Sequence, residues 1–180
     1  PEFAMKRSLV SSLSVLVIAV ALAGCSSSRQ ARELAYVERP VEALYNAAAD
    51  ELDSKDYVSA IALFNEVERQ HPYSEWARRA TIMSAYASFR SRRYEDAIST
   101  AQRYLSLNPA GDAAPYAYHL IALSYFQQIV DVGRDQRTTE LARDGLNDVV
   151  RRFPNTDYAR DAQVKLDMVS DQLAGKEMEI

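Results

Sequence analysis

The chain is poor in the residues that most chemistry needs: one cysteine, two histidines, one tryptophan, five glycines and six prolines in 180 residues. A single cysteine, Cys25, excludes an internal disulfide and a thiolate metal cluster. The histidines, His71 and His119, stand 48 positions apart and fall short of the three or four ligands of a zinc site; both read as surface or groove-lining positions. No glycine-rich phosphate loop, nucleophile elbow or paired-histidine helix is present. Sustained apolar–polar alternation is missing, and no Asn-Gly or Asp-Gly pair joins two alternating runs as a hairpin turn, which argues against a β architecture. Lysine and arginine number 21 against 25 acidic residues, for a net charge of −4. Without a basic block, nucleic acid is a poor partner. The many carboxylates read as solvated helix faces. These absences predict a non-enzymatic chain with no cofactor and no metal.

What is present begins with an address. Residues 1–4, PEFA, precede the first methionine and read as a cloning scar. Lys6 and Arg7 form a short positive region, and Leu9 to Ala23 follow with only Ser11, Ser12 and Ser14 polar. That run is too short for a bilayer span, which takes roughly 20 apolar residues, and has the length of a secretion-signal core. It ends in LAGC, residues 22–25, which resembles the lipobox of bacterial lipoproteins. The resemblance implies removal of residues 5–24 and lipidation of Cys25, and Ser26 after it favours the outer membrane. Acyl chains at roughly 0.8 kcal/mol per buried methylene hold such a protein on a membrane. Losing Lys6, Arg7 and Glu2 takes the net charge from −4 to −5. Residues 25–39 read as the lipidated amino terminus and tether, and residues 40–180 as one domain.

That domain is a helical repeat. YVSAIALFNEVERQHP (57–72) aligns without gaps on YEDAISTAQRYLSLNP (94–109), and TELARDGLNDVVRRFP (139–154) makes a third copy. Pro72 to Pro109 is 37 positions, and Pro109 to Pro154 is 45. A small residue (Ala60, Ala97, Ala142) lets paired helices approach, Phe64 and Leu146 fill the gap to the next unit, and the proline closes each second helix. The pattern resembles the tetratricopeptide repeat, with Tyr118, Ile121, Ala122 and Tyr125 as the best first-helix signature, although Lys55 and Arg92 stand where glycine is usual. The predicted fold is all-α: an α-solenoid of tetratricopeptide-like helix pairs, with units near 41–73, 74–110 and 111–155 and a final helix near 157–174. The joints repeat a phrase. HPYSEWAR (71–78) and FPNTDYAR (153–160) pair by chemistry at proline, hydroxyl, acid, aromatic, alanine and arginine, with Ser74 as candidate helix cap and Glu75 suited to the positive end of the helix dipole. The longer interval holds three extra residues in NPAGDAAPYA and five in VDVGRDQRT (130–138), read as a solvated loop.

Together the lipobox, ALYNAAADELDSKDYVSAIALFNEVERQHPYSEWARRA, RYLSLNP and VDVGRDQRTTELARDGLNDVVRRFPNTDYARDA resemble the BamD (ComL) family of outer-membrane β-barrel assembly lipoproteins. The resemblance implies a periplasm-facing, lipid-anchored scaffold of the Bam complex at the outer membrane. Its partners would be unfolded β-barrel substrates, the periplasmic domains of BamA and sister lipoproteins. Family members usually run to five repeats. The chain therefore reads as carboxy-terminally truncated, with BamA docking in doubt and an apolar end face expected to cause self-association or marginal stability. The candidate substrate groove is Tyr45, Asn46, Met83, Tyr86, Tyr116 and His119, on first helices; packing between helices is the competing role for the same aromatics. Other readings are a different helical-repeat envelope lipoprotein, such as a pilotin or cell-envelope scaffold, and a non-catalytic part of an enzyme.

Overall fold

Punctuation by proline and by polar caps cuts the helical sequence into short rods. The computed structural model describes residues 40–129 and 136–177, with side chains as far as 171. The scar, leader, Cys25, tether and residues 130–135 of the inserted loop lie outside the described residues. Among these there are seven helices and no strand: α1 Val41–Asp53, α2 Tyr57–Gln70, α3 Glu75–Arg90, α4 Tyr94–Leu107, α5 Ala114–Gln127, α6 Gln136–Arg152 and α7 Asp157–Glu177. Residues 136–138, read from sequence as loop, already belong to α6.

Pro72, Pro109 and Pro154 each lie two residues past a second helix, since the residue before proline is pushed out of the helical region. The turns inside the first two pairs are built differently. Lys55 and Arg92 adopt left-handed backbone, with φ of 67° and 63°. In the first turn the Lys55 N–H donates to Leu52 O (3.0 Å) and the Asp56 N–H to Glu51 O (2.9 Å). In the second, the Arg92 N–H donates to Phe89 O (3.0 Å) and the Arg93 N–H to Ser88 O (2.9 Å). This is the Schellman arrangement, whose left-handed position normally holds glycine. Asp56 then caps α2, its carboxylate accepting from the Ser59 N–H and hydroxyl. Those bonds hold its carboxyl below the ordinary carboxylate value.

Both copies of the joint phrase fold alike. Ser74 Oγ accepts from the Ala77 N–H at 3.0 Å and donates to His71 O; Thr156 Oγ1 accepts from the Ala159 N–H at 3.2 Å and donates to Phe153 O. The alanines of the three second helices, Ala60, Ala97 and Ala142, are fully buried, as are Phe64 and Leu146. Neighbouring helices pack as antiparallel pairs, and the first helices also touch one another in series: α1 with α3, α3 with α5, α5 with α7. The second helices α2 and α4 make no comparable backbone contact and are bridged instead by long side chains in the Arg103–Glu68 ion pair. The first helices thus occupy the inner side of the stack.

One close approach was hidden in the sequence. Asp144-Gly145 looks like a turn pair but lies in the middle of α6. A Cβ at Gly145 would sit 3.2 Å from the Ala122 Cβ of α5, so glycine lets the two helices of the third pair meet. At the far end, α7 exposes Val164 and Met168, one turn apart.

Two stability predictions follow from the backbone. A left-handed residue other than glycine costs roughly 1–2 kcal/mol, and glycine returns part of that by entropy. Lys55→Gly and Arg92→Gly should each stabilise the fold by about 0.5–1 kcal/mol in denaturant melts; unchanged or lower midpoints would contradict this. Gly145→Val should cost about 1–3 kcal/mol through overpacking against Ala122.

Candidate functional site

The inner side is lined by rings that the joints set in place. Trp76, in the first turn of α3, lies 4.9 Å from Tyr45 of α1, and Tyr45 meets Phe64 edge-on at 5.4 Å. Tyr158 holds the equivalent place at the start of α7, 5.6 Å from Tyr116 and 5.3 Å from His119, both on α5. Each joint therefore lays the aromatic that follows its cap onto the preceding first helix in the stack. Guanidinium groups cover the row: Arg79 over Trp76 at 5.5 Å, and Arg90 over Tyr86 and Tyr57 at 5.6 and 5.7 Å. Arg90 also donates to the Tyr86 hydroxyl. Such cation–π contacts add electrostatic attraction to the packing of the rings.

The six candidate residues divide by environment. Asn46 is exposed; Tyr45, Met83, Tyr86 and Tyr116 are half-buried; His119 is buried, 6 % exposed. Tyr45 and Met83 pack on the apolar core of the first two pairs, and Tyr116 on the next core cluster. Burial pushes the Tyr45 phenol up, with Arg79 opposing. It pushes Tyr116 up further, with Tyr86 and Tyr158 adding and Arg90 opposing. Both phenols stay neutral, each a polar tip on an apolar body. Trp76, Arg79, Arg90 and Tyr158 belong to the same face and were not among the sequence candidates. The repeated joint phrase was the signal that could have found the two rings, since the same slot carries an aromatic both times.

His119 does not lie on the surface that the sequence suggested. Its Nε2 stands 3.1 Å from Asp161 Oδ2 of α7, Asp161 also takes Lys165 at 2.6 Å, and Nδ1 is buried without a hydrogen-bond partner. The neutral ring therefore donates from Nε2 to Asp161. Burial holds the imidazole below its ordinary value of 6.5; Asp161 raises it and Lys165 lowers it. The desolvation cost prevails because a second proton on Nδ1 would have no acceptor. Among the described residues no cluster of His, Cys, Asp or Glu could hold a metal ion, and no helix is long and apolar enough to cross a membrane.

Comparison with known proteins gives this face a context. A family model described as "Outer membrane lipoprotein" (YfiO) matches residues 37–180. The outer membrane protein assembly factor BamD of Caulobacter vibrioides is 51% identical over 168 residues, covering 93% of this chain and 55% of that protein. BamD of Rickettsia prowazekii is 41% identical over 167 residues, covering 93% and 65%. BamD of Neisseria gonorrhoeae is 29% identical over 180 residues, covering 93% and 67%. The chain thus spans between about half and two thirds of the length of these relatives.

His119 gives a pH prediction. A histidine whose folded value lies below 6.5 stabilises the fold above pH 6.5 and loses that contribution as pH falls through its depressed folded value. Thermal melts should show a midpoint that drops below pH 6.5, and His119→Gln should flatten that drop. An equal drop in the variant would assign it to other groups.

Proposed function

Because the chain belongs to the YfiO outer-membrane lipoprotein family, whose relatives above are named BamD, we propose that it acts as a non-enzymatic scaffold of the Bam machinery, binding unfolded β-barrel polypeptides for insertion into the outer membrane. Cys25 carries the lipid anchor, and the repeat domain faces the periplasm. BamA and the sister lipoproteins are its machine partners, and the growing barrel is its substrate.

The observation that carries this reading is the row of half-buried rings along the inner helices, Tyr45–Trp76 and Tyr116–Tyr158, with Tyr86 and Arg90 beside it. An unfolded barrel strand alternates apolar and polar side chains over roughly ten residues. Extended, it presents an apolar side chain every second position. Half-buried rings can take such side chains in several registers, which suits a scaffold that serves many sequences. Tyrosine and tryptophan do this with little loss of side-chain freedom.

The candidates can now be separated into wall and surface. Tyr45 contacts both Phe64 and Trp76, so Tyr45→Ala should destabilise the fold by about 2–4 kcal/mol. Tyr86 is tied mainly to Arg90. Tyr86→Ala should leave the melt within about 1 kcal/mol of wild type and weaken binding of a urea-diluted β-barrel polypeptide about five- to ten-fold by fluorescence anisotropy. Unchanged binding with an intact fold would remove Tyr86 from the substrate face. For the anchor, Cys25→Ser in the native host should abolish incorporation of labelled palmitate and leave the leader uncleaved; continued labelling would contradict it.

A further inference from the structure

The joint between the second and third helix pairs opens a cavity of about 470 Å³, lined by Glu75, Arg78, Arg79 and Ile82 of α3, Tyr104 and Asn108 at the end of α4, and Gly111, Asp112 and Ala113 of the following turn. The volume lies within the range of about 300–1,000 Å³ usual for ligand sites. Its floor is apolar: Ile82 is 7 % exposed and Tyr104 4 % exposed. Gly111 lets the turn lie close against the end of α4, since a Cβ there would come within 2.8 Å of the Tyr104 hydroxyl. Its walls are charged, and the charges are unequally satisfied. Glu75 is taken by Arg79 at 2.6 Å, and Arg79 in turn stacks on Trp76. Arg78 and Asp112 take part in no ion pair among the described residues, with each other or with a third group.

The other copy of the joint shows that this is a departure. Arg160 occupies the slot of Arg78 and is paired with Asp157, the counterpart of Glu75. At the first joint the acid turns to Arg79 instead, because Asp161 stands where Arg79 does in the phrase. Arg78 is released, and the turn that carries the three extra residues of the middle joint adds the unpaired Asp112. Two opposite charges left unpaired on one cavity give it a positive and a negative side.

We propose that this cavity is a dipolar subsite at the edge of the ring-lined face, taking one carboxylate at Arg78 and one cationic side chain at Asp112 from an extended polypeptide segment, and so fixing the direction in which that segment lies. The proposal rests on the reading of the inner face as a peptide-binding surface. Arg79 joins the two, since it lines the cavity and covers Trp76. Side chains two positions apart on an extended segment share a face and stand about 7 Å apart. An acid and a base at such positions put the acid toward Arg78 and the base toward Asp112 in one chain direction and the reverse in the other.

The test uses the full chain and four fluorescein-labelled peptides with the same aromatic–apolar half. Three end in acid-x-base, base-x-acid or Gln-x-Gln; the fourth ends in acid-x-acid. At low salt, wild type should bind one of the two mixed orders at least five-fold more tightly than the other and than the Gln-x-Gln and acid-x-acid peptides. The preference should shrink at 0.5 M salt. Arg78→Gln and Asp112→Asn should each abolish it, and Arg78→Glu with Asp112→Lys should reverse it, with melts unchanged because both side chains are exposed. Equal binding of all four peptides would overturn the subsite while leaving the ring face standing. A preference for acid-x-acid over the mixed orders would also overturn it, in favour of a simple anion site. Binding of none of the four would overturn the subsite together with the peptide-binding reading.

Discussion

The hydroxyl that closes the start of a first helix sets the geometry of the inner face. Ser74 and Thr156 accept from the amide three residues on and reach back to the carbonyl three residues before, so the chain enters the new helix at a set angle. The next residue but one is an aromatic, and its ring is thereby delivered to the neighbouring first helix: Trp76 to Tyr45, Tyr158 to Tyr116 and His119. The buried alanines allow the helices to lie close enough for those rings to meet. Local capping, helix spacing and the aromatic row are consequences of one short phrase used twice.

Much of the fold was legible because its signals are local. The prolines, the recurring alanines and the cap hydroxyls each state a helix end or a contact within a few residues of themselves. Lys55 and Arg92 were visible as residues in glycine's place, and the backbone there is left-handed as the motif demands. What the sequence hid depends on partners distant in the chain. Asp144-Gly145 has the composition of a turn, yet its glycine serves a helix contact with Ala122. The start of α6 was hidden because polar residues 136–138 carry no apolar period.

The site was legible only in outline. First-helix tyrosines and a methionine lie on the inner helices, but how deeply each is buried is decided by neighbours from other pairs. His119 is covered by Tyr158 and Asp161 of α7, 39 and 42 positions away. Tyr86 is half-buried beside Arg90. Arg78 and Arg160 occupy the same slot of one phrase and meet different fates through a single downstream residue, Arg79 in one copy and Asp161 in the other. Periodicity places residues on the inner helices; side-chain pairing decides which of their charges and rings are left unpaired.

A scaffold that receives unfolded barrels on its inner helices should touch them there and not on its outer helices. Site-specific photocrosslinking in native membranes measures this directly, with a benzophenone side chain placed at Met83 or Tyr86 on α3, and at Val58 on α2 or Leu107 on α4, both exposed. The account predicts adducts with newly exported β-barrel polypeptides at positions 83 and 86 and little at 58 and 107. Adducts at 58 and 107 with none at 83 and 86 would contradict it.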